Sequence, residues 1–370
     1  MAALGVLSSS VAKRCALKSS AAVLSRAFLT TRASSSPLFR SAAAPSRIQP
    51  QRADFASNSQ VSLSRSSVMS SPGEQSARYV LPDNIVISEY DIHLKPNFDN
   101  FRFQGTSTIS LAVTKPTKTI KLNAKELSID PSVTYTPSGG SSVTASSVSV
   151  SKAATECTFE FPEELQPGEG ELAIEYVGTL NDQMAGFYRS GYIDQFGKKK
   201  YMLSTQMEAI DARRAFPCVD EPERKAVYKV TITTEADLQV ISNMPESSRT
   251  ILTKDSGDKA VAYQTVSFMP SPKMSSYLVA FCVGEFEFVQ GTTKNGTLVR
   301  VLCTPGKQAQ CTFALDVGIR CLQWYEDFFG IHYPLPKLDM IAVPDFAMGA
   351  MENWGLVTYR EIDLLCDADK

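Results

Sequence analysis

Gly349-Ala350-Met351-Glu352-Asn353, followed by Trp354-Gly355, is the segment of this 370-residue chain with the clearest chemical content. Backbone flanked by almost no side chain, as at Gly349 and Ala350, can hold an extended peptide in the manner of an added strand. A carboxylate beside it, Glu352, can take a peptide's terminal ammonium through a charge-assisted hydrogen bond. This is chemistry for holding a peptide, and cutting one needs further groups. The chain has two histidines, His93 and His332, and neither begins an HExxH pair that could hold zinc. Each is read as serving a strand or a turn. Asp211-Ala212-Arg213-Arg214 and Asp220-Glu221-Pro222 also gather charge, and a structural loop joining sheets is the preferred reading for both.

Most elements that must position these residues are strands. Ile85–Leu94 and Gly105–Val113 alternate with period two, which buries one face. Thr119–Leu122, Glu156–Phe161, Glu171–Val177, Tyr201–Thr205, Tyr228–Thr233, Ala262–Phe268 and Tyr277–Val289 are further candidates, separated by Gly, Pro, Ser and Asp clusters. Many short strands with turn signals predict a mainly β fold, an antiparallel sandwich or saddle of sheets. Asn295-Gly296-Thr297 has the form of a glycosylation sequon and reads better as a tight hairpin turn. A helix is predicted over Lys307–Phe329, with Leu315, Ile319, Leu322 and Phe329 on one face and Gly330 as its stop. Its aromatic residues Trp324, Tyr325, Phe328 and Phe329 are read as core. Leu338–Val343 follows as a buried strand, and Asp345 and Phe346 are placed to position the segment after them.

Charge divides the chain differently. Residues 1–75 carry nine Lys and Arg against Asp54 and Glu74, while the rest is acidic in balance. An acidic body argues against a nucleic-acid partner, because such binding rests on neutralising phosphates. No apolar run approaches the roughly 18 residues of a membrane span, so no transmembrane anchor is expected. The head is rich in Ser, Ala and Arg with no acidic residue before Asp54, the composition of an organellar transit peptide. Its basic amphipathic start favours the mitochondrion, and its long Ser-rich stretch leaves the plastid as the alternative. Translation from Met69 would delete the head and give a cytoplasmic form. The eight cysteines include no CxxC pair and read as free thiols.

Several segments together resemble a known family. Thr205-Gln206-Met207-Glu208-Ala209, Asp211–Cys218, Asp220-Glu221-Pro222, Tyr333–Asp339 and Gly349–Gly355 are similar, in order, to the amino-terminal half of zinc aminopeptidases of the aminopeptidase N and puromycin-sensitive type. The resemblance runs from about Tyr79 to the last residues. Val219 stands where an aromatic residue is frequent, a difference that touches packing.

The resemblance implies three regions: a transit-like head over 1–75, a β-rich domain over 76–288, and over 289–370 the incomplete start of an α+β thermolysin-like catalytic domain. It makes Gly349–Asn353 the exopeptidase motif (GAMEN) of a hydrolase that removes amino-terminal residues from peptides. It assigns the peptide's free amine to Glu352 and Glu208, the first side-chain pocket to Gln206, the peptide backbone to Gly349 and Ala350, and the shape of the loop to Met351 and Asn353. The expected partners are peptides with a free amino terminus. Zinc is the family's cofactor, bound through HExxH and a more distant glutamate, and no catalytic or metal residue of that set falls within this chain. The expectation is therefore a chain that supplies the amine anchor and is inactive alone. The alternative is a non-catalytic peptide-binding or interaction module derived from the family.

Overall fold

The computed structural model describes residues 80–254 and 261–367. The basic head, and with it the transit-peptide reading, lies outside the described residues. The period-two segments are strands, and among the described residues they form four sheets. The largest has nine strands, running Glu246–Lys254, Val261–Phe268, Val227–Glu235, Ile85–Asn97, Arg102–Val113, Gly168–Thr179, Thr134–Pro137 and Val143–Thr144, with Ser128–Ile129 also beside Gly168–Thr179. It is antiparallel apart from the pair Ile85–Asn97 and Val227–Glu235, which run parallel. Alternation along Arg102–Val113 buries Phe103, Ile109, Leu111 and Val113 while their neighbours face outward.

The buried face is covered by two smaller sheets. Thr117–Asn123, Glu156–Leu165 and Ser147–Ser151 form a three-stranded sheet that contributes Ile120, Leu122, Phe159 and Phe161 to the shared core. A four-stranded sheet, in the order Gly186–Ile193, Lys199–Gln206, Phe281–Gly284 and Gln239–Ser242, adds Phe187, Leu203, Phe281 and Val283. The antiparallel sandwich read from the sequence is thus present. The segment Ala212–Asp220 plugs its interior. Asp220 is buried, accepts from Arg213 Nε at 3.0 Å and from Ser276 Oγ at 2.7 Å, and its backbone N–H donates to Asn123 Oδ1. Val219 N–H donates to the Tyr90 hydroxyl, whose ring stacks on Tyr228 with centroids 5.1 Å apart. Asp211, outside this core, pairs with Arg214. These charges are structural.

The fourth sheet has five strands, Glu287–Thr292, Leu298–Cys303, Lys337–Val343, Leu356–Arg360 and, at its edge, Ala350–Met351. Its central strands run parallel because the helix Thr312–Phe329 crosses between Leu298–Cys303 and Lys337–Val343. The predicted hairpin turn is present: Thr293 N–H bonds to Thr297 O, and Gly296 takes φ 91°, closing a three-residue loop. Gly330 ends the helix at φ 65°.

Three expectations are corrected. Tyr277–Val289 is not one strand: a 3-10 turn at Ser276–Leu278 precedes Phe281–Gly284, and the chain then leaves the four-stranded sheet to begin the five-stranded one at Glu287. Gln239 Nε2 takes the Phe286 carbonyl freed at this step, at 2.6 Å. The helical aromatics are not core. The stripe facing the sheet is Ala314, Gly318, Leu322 and Glu326, with Leu315 and Ile319 partly buried at its margin, while Trp324, Phe328 and Phe329 are 56%, 65% and 58% exposed. Gly318 explains the choice, since a Cβ there would stand 2.4 Å from Met340 Cε. The helix presses its smallest residues to the sheet, and the aromatics stack on one another outside, Trp324 on Phe328 at 4.8 Å. The α-helix also begins at Thr312, after a 3-10 turn over Gln308–Cys311.

Candidate functional site

Gly349–Asn353 follows a loop that two neighbours tie down. The Tyr188 hydroxyl donates to Asp345 O at 2.8 Å, Gly191 N–H donates to Asp345 Oδ2, and Asp345 N–H donates to Ser190 Oγ. From the other side Arg360 donates to the carbonyls of Phe346 and Ala347. Asp345 and Phe346 therefore position the segment, as read from the sequence.

Ala350 pairs with Tyr359 and Met351 with Thr358, antiparallel, and Arg360 N–H bonds to Gly349 O. The pair is the last strand of its sheet, so one side of its backbone carries no neighbouring strand among the described residues. Side chains alternate across it. Met351 is 1% exposed and packs with Tyr188, Met202, Cys282 and Leu356 between the two sheets. Burying such a side chain is worth roughly 1.5–3 kcal/mol. Ala350 packs toward the helix, and Glu352, on the same parity, lines an apolar cavity of about 250 Å³ with Tyr325, Phe329, Tyr333 and Trp354. Burial pushes the Tyr359 hydroxyl up to about 12, with Cys321 and the Glu352 carboxylate adding to the effect. Asn353 is buried and donates to Thr358 Oγ1 and, more distantly, to Met351 O, which braces the end of the strand.

Gln206 and Glu208 stand on the four-stranded sheet. Met202, Ser204 and Gln206 share one strand face, the one carrying Tyr188 opposite Ser204, and this face meets the five-stranded sheet. Gln206 is 4% exposed and its Oε1 is buried with no hydrogen-bond partner, while its Nε2 reaches Glu208 O at a long 3.4 Å. Buried acceptors are nearly always paired, and this one is among four buried side-chain atoms without a partner among the described residues, with the hydroxyls of Tyr135, Tyr228 and Thr234. Glu208 lies past the strand end and is exposed. Neither its carboxylate nor that of Glu352 has a hydrogen bond or ion pair among the described residues, and no such bond joins the two residues.

The turn that ends the segment rests on a buried charge cluster that no single motif revealed. Lys337 Nζ donates to Asp339 Oδ2 at 2.7 Å, to Gly355 O at 2.8 Å and to Ser242 O. Arg300 grips Asp339 through two bonds of 2.6 Å. Burial draws the Lys337 ammonium below the usual lysine range, and the Asp339 carboxylate opposes that shift. Asn243 donates to Trp354 O at 2.9 Å and to Leu278 O at 2.8 Å, and accepts from Ala280 N–H. Gly355 has φ 86°, and a Cβ there would lie 2.2 Å from Asn243 O. The available signal was Lys337-Leu338-Asp339, where charges two apart in a buried strand share a face.

The two histidines stand in separate places. His93 shares a hydrogen bond with Thr233 Oγ1 at 2.8 Å on the nine-stranded sheet, and His332 lies beside Glu326 and Asn295 at the helix end. Among the described residues no group of three or more His, Cys, Asp or Glu side chains is gathered. Among the same residues no helix is long and apolar enough to cross a membrane.

Comparison with known proteins agrees with this architecture. Residues 86–278 match the peptidase M1 N-terminal domain and residues 313–370 match the peptidase family M1 domain. The chain is 45% identical over 287 residues to a puromycin-sensitive aminopeptidase of Caenorhabditis elegans, covering 78% of this chain and 30% of that protein. It is 46% identical over 289 residues to aminopeptidase M1 of Arabidopsis thaliana, covering 78% and 32%. To a protein of Saccharomyces cerevisiae named "Aminopeptidase 2, mitochondrial" it is 43% identical over 298 residues, covering 79% and 30%. The chain thus spans about a third of the length of the curated relatives it matches. With its sandwich matched to one family domain and its helix and edge strand to another, the chain belongs to peptidase family M1 and corresponds to the amino-terminal portion of its aminopeptidases.

Proposed function

We propose that this chain is the amine-anchoring portion of an aminopeptidase that removes amino-terminal residues from peptides by zinc-assisted hydrolysis. Glu352 and Glu208 hold the α-ammonium, Gln206 lines the pocket for the first side chain, and Gly349 and Ala350 hold the peptide backbone as an added strand. Met351 and Asn353 set the edge from behind. One observation carries the reading: the open edge strand Ala350–Met351 leads directly into Glu352, a carboxylate with no partner among the described residues. A free amine there makes charge-assisted bonds, and a blocked one leaves carboxylates unpaired, so discrimination is expected. Zinc would polarise the scissile carbonyl and activate water. The chain alone is proposed neither to hold zinc nor to be active.

The region after about residue 288 is proposed as the start of the catalytic domain, since a new sheet begins at Glu287. Mitochondrial import is proposed from the basic, Ser-rich head, in keeping with the name of the yeast relative. Mapping the mature amino terminus in fractionated cells tests this, and a start confined to Met69 in cytosol overturns it.

Calorimetric titration of the 370-residue chain with one tripeptide, free or N-acetylated, tests the anchor. The free peptide is expected to bind at least about tenfold more tightly, a preference lost in Glu352→Gln. Equal affinities overturn the reading. Metal-dependent release of product from an aminoacyl reporter by the pure chain would overturn the inactivity.

A further inference from the structure

Asp345–Gly355 crosses the four-stranded sheet from one edge to the other. In that sheet Gly186–Ile193 and Gln239–Ser242 are the two outer strands, and Lys199–Gln206, which leads to Glu208, lies between them. The Asp345 end is bolted to the first outer strand by Tyr188, Ser190 and Gly191. The Gly355 end is bolted beyond the second, where Asn243 holds Trp354 O and Lys337 bridges Gly355 O to Ser242 O. Midway, Met351 is sunk between the sheets. No direct bond joins the carboxylates Glu352 and Glu208 among the described residues.

We infer that Asn243 and Tyr188 are positioning residues, a clamp at each end of the edge strand that fixes Glu352 relative to Gln206 and Glu208. The inference rests on the amine-anchoring reading proposed above. Neither residue needs to touch a peptide. A carboxylate pair selects a free amine only if both groups reach one nitrogen, and displacement by an ångström is enough to spoil such geometry. Both clamps act through short bonds to main-chain carbonyls, Trp354 O and Asp345 O, and therefore restrain the path of the backbone itself.

The test is the ratio of dissociation constants for the N-acetylated and free tripeptide, measured on the 370-residue chain for the unaltered protein, Asn243→Ala, Tyr188→Phe, Glu352→Gln and the Asn243→Ala/Glu352→Gln double variant. A ratio of about ten or more is expected for the unaltered chain, falling to about three or less in Asn243→Ala, with no further fall in the double variant over Glu352→Gln. Should Asn243→Ala fail to fold, Tyr188→Phe decides by the same criterion, because it loses a single hydroxyl. An unchanged ratio in the variant, or an equal loss of affinity for both peptides, overturns the positioning role and leaves the anchor standing. A ratio of one in the unaltered chain overturns the anchor, and the inference with it.

Discussion

The hydroxyl of Tyr188 donates to the carbonyl of Asp345 at 2.8 Å, joining residues 157 positions apart. It ties the sandwich to the loop that leads into Gly349. Tyr188→Phe removes the donor and keeps the ring, so a loss of about 1 kcal/mol is expected from urea denaturation, in the range of a net hydrogen bond. A change within error would show that water replaces the hydroxyl at no cost.

Gly355 and Gly139 offer an internal comparison. Both have positive φ, 86° and 75°, but a Cβ at Gly355 would meet Asn243 O at 2.2 Å whereas one at Gly139 meets nothing within 4 Å. Gly139→Ala is expected to cost only conformational strain, roughly 1–2 kcal/mol. Gly355→Ala adds a clash with backbone and is expected to exceed 3 kcal/mol, on the order of strain plus overpacking. Thermal unfolding of the two variants checks the order, and equal losses would contradict the close approach.

Asp220 holds Arg213 within the core, its side chain 1% exposed against 10% for the arginine. Asp220→Ala leaves a nearly buried guanidinium without its carboxylate, and a loss of about 3–5 kcal/mol is expected. Denaturant midpoints measure it. A loss below about 1 kcal/mol, the worth of an exposed pair, would show that the pair is not part of the core.

Alkaline pH should weaken the fold. Burial pushes Cys157 and Cys282 up from 9.0 to about 12, and the buried tyrosines Tyr90 and Tyr228 rise well above their ordinary 10.0. A group raised in the folded state contributes stability that is complete below its unfolded value and is lost as pH climbs toward the folded one. The window for the thiols is therefore pH 9 to about 12. Lys337, drawn downward, works in the opposite sense below its unfolded value of 10.5, and it is outnumbered. Unfolding free energy is expected to fall between pH 8.5 and 10.5, and Cys157→Ala should shallow that slope. A flat profile would contradict it.

Most strands were legible because a half-buried strand writes its burial into every second residue, as in Arg102–Val113. The pattern could not reveal where one strand passes between sheets. Phe281–Gly284 and Glu287–Thr292 both suit a pleated surface, and only their pairing partners separate them. The helical aromatics were misread for a related reason. Apolar aromatics outweigh Ala314 and Gly318 in any hydrophobic count, yet close approach to Met340 selects the small residues. At the candidate site, residue types alone pointed to Gly349–Asn353, and Gln206 and Glu208 entered only through the family resemblance, their recognition role being proposed; nothing in the local pattern pointed to Asn243 or Tyr188.

The order of residues was enough to establish the mainly β sandwich, the hairpin at Gly296, the helix stop at Gly330 and membership of the M1 family, since each is written in local pattern or ordered short segments. The tertiary structure decided that Ala350–Met351 is an edge strand, that Met351 is its buried anchor, and that Asn243 and Lys337 hold the turn after it. Periodicity records that a side chain is buried and not what buries it. Bonds such as Asn243 to Trp354, 111 positions apart, exist only once the sheets have packed.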